Sequence, residues 1–259
     1  MAEALRLQRS GAAHALLLEG VSRSFGALTA LDNVDLVVEA GERRGILGAN
    51  GAGKTTLFNA ITGDFPPTSG RIRFFGEDVT RLPAYERIRR GLRRTYQNSM
   101  LFRGLVVLDN LYLAACGVSR RRLSFLRPRD DDAALQSARD LAHAVHLDGV
   151  AEQLVSELSH GQQRQLEIGM ALAGAPRFIL FDEPAAGLSP AERRELVQIL
   201  GALPAHIGFI IIEHDLDVAL RVVEKVTVMH NGAVFKHGTP AEIQVDPDVQ
   251  RIYLGGRHG

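Results

Sequence analysis

The sequence predicts one α/β domain with a mainly parallel core sheet, interrupted by a helical insertion. Three observations point there. At residues 43–62 a short apolar strand runs into a glycine-rich loop and then into a helical pattern. After residue 176 short apolar strands alternate again with helical patterns. Between about 98 and 175 the pattern is mostly helical. The domain is expected over 15–254, with a core of 15–97 and 176–245, a helical subdomain at about 98–175 and a C-terminal helix at about 246–254. Residues 1–14 read as a flexible tail.

In chain order, "ALLLEGVSRSF" (15–25) reads as a strand. "LDNVDLVV" (31–38) reads as another, with apolar alternation at Val34, Leu36 and Val38. "RRGILG" (43–48) is a short strand entering the loop. From Lys54 to Thr62, Leu57, Phe58 and Ile61 keep helical spacing; "DFPPTSG" then breaks the chain before the strand "RIRFFG". The insertion carries the helical stretches "LVVLDNLYLAA", "DDAALQSARDLAHAVHL" and "GQQRQLEIGMALAG". Beyond it come the buried strand "RFILFDEP", a helix opened by Pro190, the buried strand "GFIIIEHD" and the helix "LDVALRVV". A hairpin turning at Asn231-Gly232 follows.

Composition narrows the function. A 46% hydrophobic, 23% charged chain is globular rather than disordered, and its formal net charge of zero gives no field drawing it to nucleic acid or anionic lipid. No nucleic-acid partner is expected. No apolar run approaches the roughly 18 residues that span a bilayer, and the first residues lack the order of a secretory signal. The expectation is a cytoplasmic protein, bound to the membrane only through partners. The lone Cys116 cannot form an internal disulfide and reads as a small buried apolar residue. "SRRRLSFLRPRDDD" (119–132) holds five arginines and then three aspartates; it reads as a solvated loop before an acidic helix start, or as a contact for a partner or acidic lipid headgroups.

The chemistry lies in two places. "GANGAGKT" (48–55) fits G-x-x-x-x-G-K-[ST] with a strand before it and a helix after it. Its glycines let backbone N–H groups turn inward around phosphates, and the helix N-terminus faces the same anion. Lys54 reaches the β and γ phosphates, and the Thr55 hydroxyl suits Mg²⁺. Lysine occurs only at 54, 225 and 236 in this arginine-rich chain, so Lys54 stands out. The second place is Asp182-Glu183, at the end of a buried strand. Neighbouring strand residues face opposite ways, so one carboxylate is free for a metal and the next for a water.

Three further stretches join these: "LSHGQQRQLEIGMAL" from Leu158, "RRTYQNSMLF" with Gln97, and "IIIEHD" with His214. Together they stand in the order of the ATP-binding cassette (ABC) family, which the chain resembles from about residue 15 to 254. The "LSxGQ" signature is specific to that family among phosphate-loop ATPases. The resemblance implies a P-loop NTPase (ABC ATPase) core with a mainly parallel sheet, an N-terminal antiparallel β region and an inserted α-helical subdomain. It implies ATP and Mg²⁺ as ligands. Phe25 would stack on adenine, and Asn50, Gly51, Ala52, Gly53, Lys54, Thr55 and Thr56 would cradle the phosphates. Thr55, Gln97 and Asp182 would serve the metal. Catalysis would fall to Glu183 as general base, His214 at the γ-phosphate, Gln97 at the metal and attacking water, and Lys54. Ser159, Gly161 and Gln162 would complete the ATP site of a second ATPase subunit, identical or related, so that two subunits clasp two ATP molecules. Membrane subunits, and indirectly an extracytoplasmic solute-binding protein, are the partners implied.

Three positions depart from the family pattern: His160 replaces a glycine of the signature, Ser189 a frequent Asp, and Ala49 a frequent proline. The segments "LTALDNVDL", "TTLFNAITGDFPPTSGRIRF", "DEPAAGLSP" and "DPDVQRIYLGG" resemble ATPases of importers for branched-chain amino acids, urea and short amides. A lipopolysaccharide-exporter ATPase and a soluble ABC ATPase of assembly or repair are the alternatives. The solute itself is not encoded here, because the family places specificity in other subunits.

Overall fold

The computed structural model describes residues 14–95, 100–118, 132–213 and 216–255. Two compact units divide the chain. One takes the residues up to Ala84, Ala205–Phe209 and the residues from Glu224 on; the other takes Tyr85–Pro204 and Ile210–Val223.

The first unit contains the antiparallel sheet and the glycine loop. Strands β1 (His14–Phe25) and β2 (Leu28–Glu39) form a hairpin; β4 (Ser69–Phe74) adds to the other side of β1 and β5 (Glu77–Asp78) to β4. Val34, Leu36 and Val38 are buried, as their alternation predicts. The alternation breaks between Leu31 and Val34, where the β1–β2 register also shifts. Strand β3 (Arg43–Leu47) pairs in parallel with β9 (Lys225–His230), and β9 turns through Asn231-Gly232, both at positive φ, into β10 (Ala233–Gly238). The head of this pair carries buried charge. Glu42 accepts from Arg44 Nε at 2.6 Å and from Lys225 Nζ at 2.9 Å, and Arg44 also donates to Thr227 Oγ1 at 3.3 Å. Helix α1 (Lys54–Thr62) buries Leu57, Phe58, Ala60 and Ile61 and ends at Gly63, whose amide donates to Asn59 O. Two short helices, α8 (Pro240–Val245) and α9 (Pro247–Gly255), close the unit. A Thr239–Glu242 capping box starts α8, and Lys236 pairs with Asp246 between the helices.

The second unit holds the carboxylate strand and the helices. Strand β6 (Leu92–Thr95) runs parallel to β7 (Phe178–Asp182), and residues Ile210–Ile212 of β8 (Gly208–Ile212) lie on the other side of β7. Every residue of β7 is buried, which explains its unbroken apolar run. Helices α3 (Val107–Val118), α4 (Asp132–Ala144) and α5 (His160–Leu172) carry the middle of the chain, with α6 (Pro190–Ala202) and α7 (Leu216–Val222) following. Asn110, fully buried in α3, ties down the chain before it: its amide group exchanges hydrogen bonds with the backbone of Phe102.

Some elements were not visible in the sequence. Helix α2 (Ala84–Arg89), β5, β6 and α8 are each six residues or fewer. β6 reads "LRRT", and its two central arginines hide a strand among loop-like charges. Cys116 corrects an expectation: it is half-buried near the end of α3, not part of the core. The arginine-rich residues 119–131 and the tail 1–13 lie outside the described residues.

Candidate functional site

In the first unit the loop after β3 is held from inside and outside. Ala52 N donates to Ala49 O, and Leu57 N donates to Gly53 O at 2.8 Å, which starts α1. Gly53 has φ 95°, and a Cβ there would come within 2.6 Å of Ala30 O, so this position admits only glycine without a shift. Lys54 is buried, and its Nζ donates to the carbonyls of Gly48 (2.7 Å) and Ala49 (3.0 Å), which aims its ammonium across the loop. The β9–β10 turn braces the outside: Gly232 N donates to Ala52 O at 3.1 Å while Gly232 O accepts from Asp32 N at 2.9 Å. Asn50, Gly51 and Thr55 are exposed, Gly53 and Thr56 are half-buried, and Ala52 is buried. An open cavity of about 400 Å³ beside the loop is lined by Ala49, Asn50, Ala52, His230, Asn231 and Arg251.

Phe25, at the end of β1, is 44% exposed and meets Phe65 edge-to-face at 5.5 Å. The Arg23 guanidinium lies 4.6 Å from both ring centres. The aromatic surface at this end therefore includes two residues, Arg23 and Phe65, that the sequence reading passed over.

In the second unit Asp182 ends β7 and is 1% exposed. Its Oδ2 accepts from Arg94 Nη2 at 2.7 Å, and its Oδ1 is buried without a hydrogen-bond partner. Pairing in the β6–β7 ladder sets Arg94 opposite Leu180, on the face that Asp182 shares two residues on. A buried carboxylate oxygen lacking a donor is costly, and it is the kind of ligand a hard cation takes. The Asp182 carboxylate, with a hard oxygen donor left over, fits Mg²⁺.

Glu183 leaves the strand in the left-handed region at φ 48°, which an ordinary side chain rarely adopts. Both sides of its peptide are held: its N–H donates to Ile212 O at 2.9 Å, and its carbonyl accepts from Arg164 Nη2 at 3.3 Å. The loop beyond is anchored by buried Glu213, whose Oε1 accepts from Ala185 N at 2.6 Å. The Glu183 side chain is half-buried. Gln97 and His214 lie outside the described residues.

The signature turn is also in the second unit. Ser159 is the N-cap of α5: its Oγ accepts from Gln162 N at 3.2 Å, and Gln162 Oε1 accepts from Ser159 N at 2.9 Å, a reciprocal capping box. Gly161 N donates to Glu192 Oε1 at 3.0 Å. Ser189 is the N-cap of α6, with Glu192 as its N3 partner, so at this departure from the family pattern the serine starts a helix. Exposed His160 sets its ring against Gly187. Arg94 and Glu192 were missed at sequence level. The S-x-x-E spacing of 189–192 was a legible capping signal; the contacts to Asp182 and Gly161 are tertiary and left no local trace.

Residues 31–186 match the family profile described as ABC transporter, and residues 237–259 match that of the branched-chain amino acid ATP-binding cassette transporter. The high-affinity branched-chain amino acid transport ATP-binding protein BraF of Pseudomonas aeruginosa is 36% identical over 252 residues, covering 93% of this chain and 97% of that protein. The lipopolysaccharide export system ATP-binding protein LptB of Escherichia coli is 35% identical over 244 residues, with the same coverage. Among solved structures, the ADP conformation of MJ1267, an ATP-binding cassette of an ABC transporter, superposes with a TM-score of 0.83 at 31% identity, covering 93% of this chain and 99% of that one.

Proposed function

The chain belongs to the ABC transporter family as an ATP-hydrolysing subunit, and from that premise we propose that it powers import of branched-chain amino acids, or of a related amide or urea. The observation that carries this reading is the match of residues 237–259 to the branched-chain amino acid cassette profile. The likeness to BraF supports it. The likeness to LptB gives lipopolysaccharide export as the second reading.

Cassettes of this family work as dimers with membrane subunits. In the proposed cycle the loop amides of residues 50–56 and Lys54 hold the triphosphate of ATP, and Phe25 carries the adenine. Thr55, Asp182 and Gln97 serve Mg²⁺, which when bound offsets charge on the phosphate oxygens. Glu183 accepts the proton of the water that attacks the γ-phosphorus, and ADP and phosphate are released. His214 contacts the γ-phosphate. Ser159, Gly161 and Gln162 engage the nucleotide of the neighbouring subunit, so hydrolysis loosens the pair and turns chemistry into movement. The protein would sit on the cytoplasmic face of the membrane through its membrane subunits, which would receive solute from an extracytoplasmic binding protein.

Uptake decides the solute. Cells lacking this chain should lose accumulation of labelled leucine, isoleucine and valine, and regain it with the wild-type chain but not with Lys54→Ala. Unchanged uptake of all three would overturn the amino-acid reading. Loss of urea or amide uptake instead would place the chain with those relatives, and a defect in surface lipopolysaccharide alone would support export.

A further inference from the structure

The signature turn already carries an anion, and it comes from the same chain. Gly161 N donates to Glu192 Oε1 at 3.0 Å, and Ser159 Oγ donates to the same oxygen at 3.5 Å. That oxygen therefore collects two donors at the N-terminus of a 13-residue helix, where the helix dipole adds to the attraction. The other oxygen, Oε2, accepts from Ser189 N at 2.9 Å. The hydrogen bonds from Ser189 hold the carboxyl below the ordinary glutamate range, with Gly161 and His160 adding smaller effects, so Glu192 is ionised at neutral pH. The fit is close: a Cβ on Gly161 would lie 2.4 Å from Glu192 Oε1. The recess beside the turn, lined by Ser159, Gly161, Gln162, Leu188 and Glu192, is about 60 Å³. A carboxylate and a phosphate cannot share the same two donors, and their like charges oppose each other there.

We propose that Glu192 sets how strongly ATP draws two subunits together: its carboxylate occupies the Gly161 and Ser159 donors, and must withdraw before a neighbour's triphosphate reaches them. The inference rests on the reading of the chain as an ATP-clasping dimer. The two oxygens are held separately, so Oε1 can leave Gly161 while the Ser189 contact keeps α6 capped. Closure then meets a threshold built into the chain itself. ATP bound to the phosphate loop of one subunit has to outcompete the carboxylate of the other.

Glu192→Gln tests this cleanly. Glutamine keeps the size and the N3 capping role but removes the charge. The full chain carrying Glu183→Gln, which suppresses turnover, is compared with and without Glu192→Gln by sedimentation in Mg·ATP. The dimer dissociation constant should fall at least about tenfold in the double variant. Mg·ADP affinity of the monomer, measured by calorimetry, should stay unchanged. An equal or larger dissociation constant overturns the role of Glu192. Absence of any ATP-dependent dimer in both chains overturns the clasping reading itself, and a dimer in the double variant alone supports both.

Discussion

Arg94 and Asp182 form a pair whose two members are 6% and 1% exposed in their side chains. Taking charges this far from water is costly unless each compensates the other. Arg94 thus holds the aspartate through Oδ2 while Oδ1 is left without a donor. Removing one partner of such a pair costs about 3–5 kcal/mol, because the other is left charged and buried. Arg94→Met is therefore expected to lower the melting temperature by roughly 10 °C in a chain of this length. Asp182→Asn in the same background should restore a large part of the loss, because it removes the stranded carboxylate. A calorimetric double-mutant cycle reads the coupling, and simple additivity of the two changes would show that the pair is not coupled.

At the scale of elements, the β3–β9 pair carries its own ionic clamp in Glu42, Arg44 and Lys225. Burial pushes the Glu42 carboxyl up, but Arg44 and then Lys225 outweigh it, and the net shift is downward from 4.5. A lowered folded-state value means stability that is present above the unfolded value near 4.5 and lost as pH falls through the folded one. Glu42→Gln should cost about 3 kcal/mol at pH 7, where Arg44 is left uncompensated. The gap from wild type should begin to narrow below pH 4.5 and close below the lower folded-state value, where protonated Glu42 resembles the glutamine. Urea midpoints from pH 7 to pH 3 measure it, and a constant gap would exclude the clamp. The elements legible in the sequence are those with a strong period or a stop signal. β7 showed as a bare apolar run, α1 through the spacing of Leu57, Phe58 and Ile61, and the β9–β10 turn through Asn231-Gly232. β6 stayed hidden because its burial is shared with arginines. The loop lysine and the Asp182-Glu183 pair were legible because backbone chemistry fixes their spacing. Arg94 and Glu192 act through partners 88 and 31 residues distant, and one-dimensional spacing does not carry such contacts.

For the molecule as a whole, no described helix is long and apolar enough to cross a membrane, and the formal net charge is zero. On the proposed function, attachment to the membrane comes from protein partners. Expressed alone, the chain should remain in the supernatant after high-speed centrifugation; expressed with its membrane subunits it should pellet with them and withstand high salt. Sedimentation with lipid vesicles that hold no protein would contradict this. The brace on the phosphate loop has a further consequence, for biosynthesis. Gly53 leaves the ribosome roughly 180 residues before Gly232, a delay of about 10–40 s at ordinary elongation rates. Throughout that interval the nascent loop has neither its β9 neighbour nor the turn that grips Ala52. Only a chain translated past Gly232 can acquire the finished cradle, so products cut short before that turn are expected to hold nucleotide less well.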